Sequence, residues 1–154
     1  MNIEKIRLAT VLDEALKLNR IQIENKLLII KNELNPHVEV YADQKMTFTI
    51  FTNLISNAIK FNYPGGMIRI KSKNLTDKVQ VIISDEGVGI PKEYIDSIFS
   101  IASDYQMRGT ENEYGTGLGL KVVAEFIRRM NGSVRAESNE KGTSFIFELP
   151  TTLE

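Results

Sequence analysis

The stretch that most constrains this chain is Thr52-Asn53-Leu54-Ile55-Ser56-Asn57-Ala58-Ile59-Lys60-Phe61. At roughly 100° per residue on a helix, Asn53, Asn57 and Lys60 fall within one narrow arc. Phe51, Leu54, Ile55, Ala58 and Ile59 fill the opposite arc. One face therefore builds core while the other presents two amides and an ammonium. Asn costs about 0.5 kcal/mol or more relative to Ala inside a helix, and a face that only meets water more naturally carries Glu, Lys or Gln. An Asn oxygen can hold Mg²⁺, a hard cation, and a nearby Lys can meet a phosphate. From this stretch alone, an ordinary polar helix face fits equally well.

The 154 residues are enough for one domain with a single sizeable core. With 42% hydrophobic and 25% charged residues and a net charge of −1, the chain has no basic field that would argue for nucleic acid. Cysteine is absent, which removes disulfides, a thiol nucleophile and Cys-based metal sites, and a single histidine, His37, excludes a multi-His centre. Apolar runs such as Leu27–Ile30 are too short to span a bilayer, and the N-terminus lacks a signal-peptide pattern. The expected location is the cytoplasm.

Along the chain, Ile3–Leu8 reads as a short extended segment. From Thr10 a helical pattern follows, with Val11, Leu12, Ala15, Leu16 and Leu18 at core-like spacing. Leu27–Ile30 reads as a buried strand and Val38–Tyr41 as a second short one after the Asn35-Pro36 turn. Asp43 is a fitting N-cap for the helix carrying Asn53 and Asn57, which must stop near Asn62-Tyr63-Pro64-Gly65-Gly66. Met67–Lys71 and Val79–Ile83 are strands, and Pro91 starts a helix through Phe99. Ser100–Gly115 lacks periodicity, as a functional lid or a disordered tip would. Helix resumes from Leu118 to about Met130, stopped by Asn131-Gly132. Ser133–Glu137 and Ser144–Leu149 close the chain as strands. The expected fold is a two-layer α/β sandwich, with one mixed sheet covered on one face by about three helices.

Three more stretches join the first as candidates for chemistry. Ser84-Asp85-Glu86-Gly87-Val88-Gly89-Ile90-Pro91 follows an apolar strand. A carboxylate there can accept from an exocyclic amine such as that of adenine, and glycines let a ligand approach the backbone; a strand-ending Asp with a glycine turn is the plainer account. Gly115-Thr116-Gly117-Leu118-Gly119-Leu120 opens a helix, where free N–H groups make an anion site. Lys141-Gly142-Thr143-Ser144-Phe145 alone is no more than a hairpin turn. A dinucleotide fingerprint fails, because the third position after Gly87 and Gly89 is Lys92. A P-loop fails because no Gly-Lys pair exists. Asp85-Glu86-Gly87 superficially resembles the magnesium-binding triplet of eukaryotic-type protein kinases, but no His-Arg-Asp loop accompanies it.

Taken in order, N-x-x-x-N-x-x-K, D-x-G-x-G-I, a long loop, G-T-G-L-G-L and G-T-S-F resemble the ATP-binding catalytic domain of sensor histidine kinases. These belong to the GHKL superfamily shared with gyrase, heat-shock chaperone and mismatch-repair ATPases. The similarity runs from about Ile3 to Pro150, which implies that residues 1–154 form one catalytic domain with a lid at about 100–115. It implies Mg-ATP as the ligand, with Asn57 supplying the metal-binding oxygen and Asn53 beside metal and phosphates. Lys60 neutralises phosphate charge and Phe61 packs on adenine. Asp85 reads the adenine amine with a water near Thr143, while Gly87, Gly89 and Ile90 shape the pocket. Gly115, Thr116, Gly117, Leu118, Gly119 and Leu120 hinge the lid and aim N–H groups at the phosphates. Ile98-Phe99 matches the start of the family's phenylalanine box; Ala102 and Asp104 depart from its usual aromatic and basic residues, leaving Arg108 as the nearest replacement cation. Where ATP-hydrolysing branches carry Glu, this chain has Asn53, which cannot activate water as a base.

The resemblance also implies that the phosphoacceptor histidine lies elsewhere, on a helical dimerisation domain, because His37 sits between Pro36 and Val38 at a turn. The expected partners are that domain of a homodimeric parent kinase and a response regulator downstream, with the fragment itself monomeric. A serine kinase of the same superfamily, of the anti-sigma factor type, and a nucleotide-sensing module without transferase activity are the alternatives.

Overall fold

A computed structural model describes residues 1–100, 109–111 and 118–153. Its centre is a five-stranded sheet in the order β2-β4-β5-β7-β6. The strands are β2 (Ile29–Glu33), β4 (Met67–Asn74), β5 (Lys78–Asp85), β6 (Ser133–Asn139) and β7 (Gly142–Pro150). β2 runs parallel to β4 and the other pairs are antiparallel, so the sheet is mixed as expected. Two further strands, β1 (Ile3–Arg7) and β3 (Glu39–Asp43), form a separate antiparallel ribbon with Ile6 opposite Val40. The segment read as Val38–Tyr41 thus lies outside the main sheet.

Helix α1 (Leu8–Leu18), α3 (Gln44–Phe61) and α5 (Gly119–Arg129) form the helical layer, with α3 packed against both of the others. The apolar arc of α3 is buried throughout, from Ile50 and Phe51 to Ile59. Phe51 meets Phe147 of β7 edge-on at 5.6 Å between ring centroids, fastening helix to sheet. Asp43 caps α3 by accepting from the Met46 N–H at 2.9 Å. Its own N–H reaches Met130 Sδ at 3.2 Å, so the start of α3 is tied to the end of α5.

Period-2 alternation along β5 puts Val79, Val81, Ile83 and Asp85 on the buried face. In β7, Thr143, Phe145, Phe147 and Leu149 share that face. The core between sheet and helices therefore ends, at one edge, in a carboxylate and a threonine.

Two local expectations are corrected. The strand after the first helix is Ile29–Glu33, displaced from Leu27–Ile30, and it is a mostly exposed edge strand. Leu27 lies in the left-handed region (φ 59°) at the corner after α2 (Arg20–Asn25), a short helix that the apolar spacing did not reveal. The helix after Pro91 is shorter than expected: α4 covers Lys92–Ile95 and gives way to turns up to Ser100.

Candidate functional site

The last three turns of α3, the loop after β5, the β6–β7 turn and the start of α5 converge at one edge of the sandwich. α3 carries Asn53, Asn57 and Lys60 on its uncovered side, with both Asn half-buried. No described residue makes a hydrogen bond to either amide. Gly119 opens α5 directly beside Asn53, where an added Cβ would stand 3.2 Å from Asn53 Oδ1. Leu118 precedes it without a side-chain cap, and Leu120 packs against the core. Lys60 lies over the Phe61 ring, its Nζ 4.7 Å from the centroid.

Asp85 is 7% exposed. Its Oδ1 accepts from the Gly87 N–H at 2.9 Å and the Thr143 N–H at 3.4 Å. Its Oδ2 accepts from no described residue. Burial drives the Asp85 pKa up to about 6, against the opposing pull of the Gly87 and Thr143 amides. A buried carboxyl with one oxygen anchored and the other unengaged by described residues can accept a further N–H.

The loop that follows is held close to α3. Val88 donates its N–H to the Phe61 carbonyl at 3.1 Å, and a Cβ at Gly87 would overlap that same carbonyl. Gly89 has φ +76° and lies against the Asn139 carbonyl, so both glycines are dictated by the backbone approach. Ile90 donates its N–H to Ser138 Oγ at 2.7 Å. Ser138 Oγ also lies 3.1 Å from Thr143 Oγ1, joining the loop to the β6–β7 turn. Phe99 stacks edge-on against Phe145 at 6.1 Å, anchoring the chain just before residue 100.

The fold thus brings together Asn53, Asn57, Lys60, Phe61, Asp85, Gly87, Gly89, Ile90, Leu118, Gly119, Leu120 and Thr143. Arg108, Gly115, Thr116 and Gly117, and most of the expected lid, lie outside the described residues. Among the described residues no cluster of His, Cys, Asp or Glu could hold a metal ion. His37 is an exposed turn residue whose N–H bonds Asn35 Oδ1.

Three contributors carried no sequence signal. Ser138 sits in an unremarkable strand, and Lys26 sits at the end of a helix that the spacing concealed. Thr110 falls in the stretch without periodicity; its N–H donates to the Lys60 carbonyl at 3.0 Å and its hydroxyl bonds the Asn62 carbonyl.

Residues 42–153 match the family described as histidine kinase-, DNA gyrase B- and HSP90-like ATPases. The chain belongs to that family. It is 35% identical over 130 residues to the autoinducer 2 sensor kinase/phosphatase LuxQ of Vibrio harveyi, covering 80% of this chain and 15% of LuxQ. To the sensor histidine kinase YclK of Bacillus subtilis it is 32% identical over 154 residues, 99% of this chain and 32% of YclK. The chain therefore spans a third or less of these relatives. The catalytic domain of histidine kinase ThkA superposes over 100% of both chains with a TM-score of 0.86 and 29% identity. ThkA in complex with the response regulator protein TrrA matches with a TM-score of 0.79 and 28% identity, over 97% of this chain and 42% of that one. The fold of this GHKL-family chain is that of a histidine kinase catalytic domain. Among its described residues no helix is long and apolar enough to cross a membrane.

Proposed function

We propose that this chain binds Mg-ATP and donates the γ-phosphate to a histidine on a separate helical dimerisation domain of a two-component sensor kinase. The observation that supports this most is the shared location of two kinds of unengaged group. Asp85 keeps one oxygen unbonded by any described residue, and the Asn53 and Asn57 amides find no partner among them.

In this reading Asp85 Oδ2 accepts from the adenine amine, with a water near Thr143 completing the base edge. Phe61 packs on the base while Gly87, Gly89 and Ile90 shape its pocket. Asn57 gives its oxygen to Mg²⁺, Asn53 lies beside metal and phosphates, and Lys60 neutralises phosphate charge. Leu118, Gly119 and Leu120 at the start of α5, with Arg108, Gly115, Thr116 and Gly117 before them, surround the phosphates. Bound Mg-ATP supplies the phosphoryl group and the metal charge. The chain supplies position and electrostatics, the larger part of catalysis in phosphoryl transfer. Asn53 is no base, so water is left unactivated and the γ-phosphate is kept for the acceptor. A response regulator then takes the phosphoryl group from the histidine. The parent kinase is a homodimer and this part of it works in the cytoplasm.

The test follows label from γ-labelled ATP after addition of a separate histidine-bearing domain from the parent kinase. Acid-labile phosphohistidine on that domain is expected, slower than in a tethered protein because effective concentration is lost. Phosphoserine on another protein would make the chain a serine kinase. Binding without transfer would make it a nucleotide-sensing module.

A further inference from the structure

The final carbonyls of a helix have no intrahelical partner. At the end of α3, every carbonyl from Ile59 to Asn62 accepts from outside the helix's own ladder. Ile59 O accepts from Lys26 Nζ at 2.8 Å. Lys60 O accepts from Lys26 Nζ at 3.0 Å and from the Thr110 N–H at 3.0 Å. Phe61 O takes the Val88 N–H and Asn62 O takes the Thr110 hydroxyl.

Lys26 is only 4% exposed, rare for a lysine. Its backbone is fixed on both sides, with its N–H donating to Gln22 O at 3.1 Å and its carbonyl accepting from Gly65 N at 3.0 Å. The ammonium therefore arrives from a rigid corner at the negative end of the α3 dipole. Stopping the helix does not require it. Asn62 is itself fully buried, donating from Nδ2 to Met67 O at 3.0 Å and accepting the Tyr63 N–H on Oδ1, with Pro64 and Gly65 just beyond. What Lys26 adds is a fixed position for the turn from which Lys60 and Phe61 project, at the carbonyl where Thr110 docks.

We propose that Lys26 is a positioning residue for nucleotide binding, a clamp on the Ile59 and Lys60 carbonyls that aims Lys60 and Phe61 and prepares the Lys60 carbonyl for Thr110. This rests on the Mg-ATP reading of the site. The Thr110 N–H shares the Lys60 carbonyl with Lys26, and the Thr110 hydroxyl, the group Val lacks, holds the Asn62 carbonyl two residues on. Both side chains therefore act on the same turn and their effects are coupled.

The experiment is a double-mutant cycle on Mg-ATP affinity by calorimetry, with urea unfolding of each variant as the folding control. Lys26→Met removes donors and charge at similar length and is expected to bind Mg-ATP at least tenfold more weakly while unfolding cooperatively. Thr110→Val is expected to lose about threefold, and the double variant to lose less than the product of the two. Lys26→Gln, which keeps an N–H donor, recovers part of the affinity. Should Lys26→Met fail to fold, the cycle between Lys26→Gln and Thr110→Val carries the same prediction of non-additivity. A folded Lys26→Met variant that binds as well as the unsubstituted chain, or losses that multiply independently, overturns the clamp alone. An unsubstituted chain that binds no nucleotide overturns the functional reading, and the clamp's role falls with it.

Discussion

Replacing Asp85 by Asn is expected to move stability and affinity in opposite directions. In the folded chain burial raises the Asp85 pKa from 3.8 to about 6. Between those values the folded state holds a proton that the unfolded state has released, so stability falls as pH rises from about 4 through about 6. The carboxylate then costs folding about 3 kcal/mol, from a shift of about two units at about 1.4 kcal/mol each. Asn carries no charge, so Asp85→Asn is expected to be more stable than the parent at pH 8, by up to about 3 kcal/mol. The two chains should converge near pH 4.

Affinity runs the other way. The Gly87 and Thr143 N–H groups both aim at the Oδ1 position, so they select the oxygen of the substituted amide there. Its NH₂ is forced into the Oδ2 position, a donor facing the donating amine of adenine. An unpaired polar contact of this kind costs about 1–3 kcal/mol, a loss of roughly 5- to 150-fold in ATP affinity. Urea unfolding at pH 4.5 and pH 8, with calorimetric ATP titrations at pH 8, reads both quantities. ATP affinity within twofold of the parent would refute the assignment of Asp85 to the base. A variant less stable than the parent at pH 8 would refute the burial argument.

Two further substitutions test the frame of the site. Gly87→Ala puts a methyl into the Phe61 carbonyl; a cost of about 1–3 kcal/mol, seen as a lower urea midpoint, should come with weaker ATP binding. Phe51→Ala removes a fully buried ring packed edge-on against Phe147, and thermal unfolding should report a loss of about 3–5 kcal/mol.

The amphipathic face of α3 and the Asp43 cap were legible because each rests on local spacing or local chemistry. Strands β4, β5 and β7 were legible for the same reason. The β1–β3 ribbon was not, because Val38–Tyr41 alternates like any half-buried strand and nothing local says which neighbour it pairs with. β2 begins two residues beyond its expected start, because Leu27-Leu28-Ile29-Ile30 looks uniformly buried from its composition. Leu28 enters the core and Ile30 packs half-buried against it, while Leu27 and Ile29 face solvent at 73% and 57% exposure. Asp85 could be recognised as a candidate from its position after an apolar strand. That the same alternation buries it beside Thr143 emerges only with the β5–β7 register. Lys26 and Thr110 stayed hidden because their bonds go to backbone carbonyls, which leave no mark on sequence.

The most direct test of the account is a pair of calorimetric titrations of ATP, with and without Mg²⁺, into the unsubstituted chain and into Asn57→Ala. The account predicts saturable one-to-one binding of ATP by the unsubstituted chain, strengthened by Mg²⁺. In Asn57→Ala the Mg²⁺-dependent part of the affinity should be largely lost and metal-free binding should be nearly unchanged. The absence of saturable ATP binding at millimolar concentration would contradict the account, as would an Asn57→Ala loss equal with and without the metal.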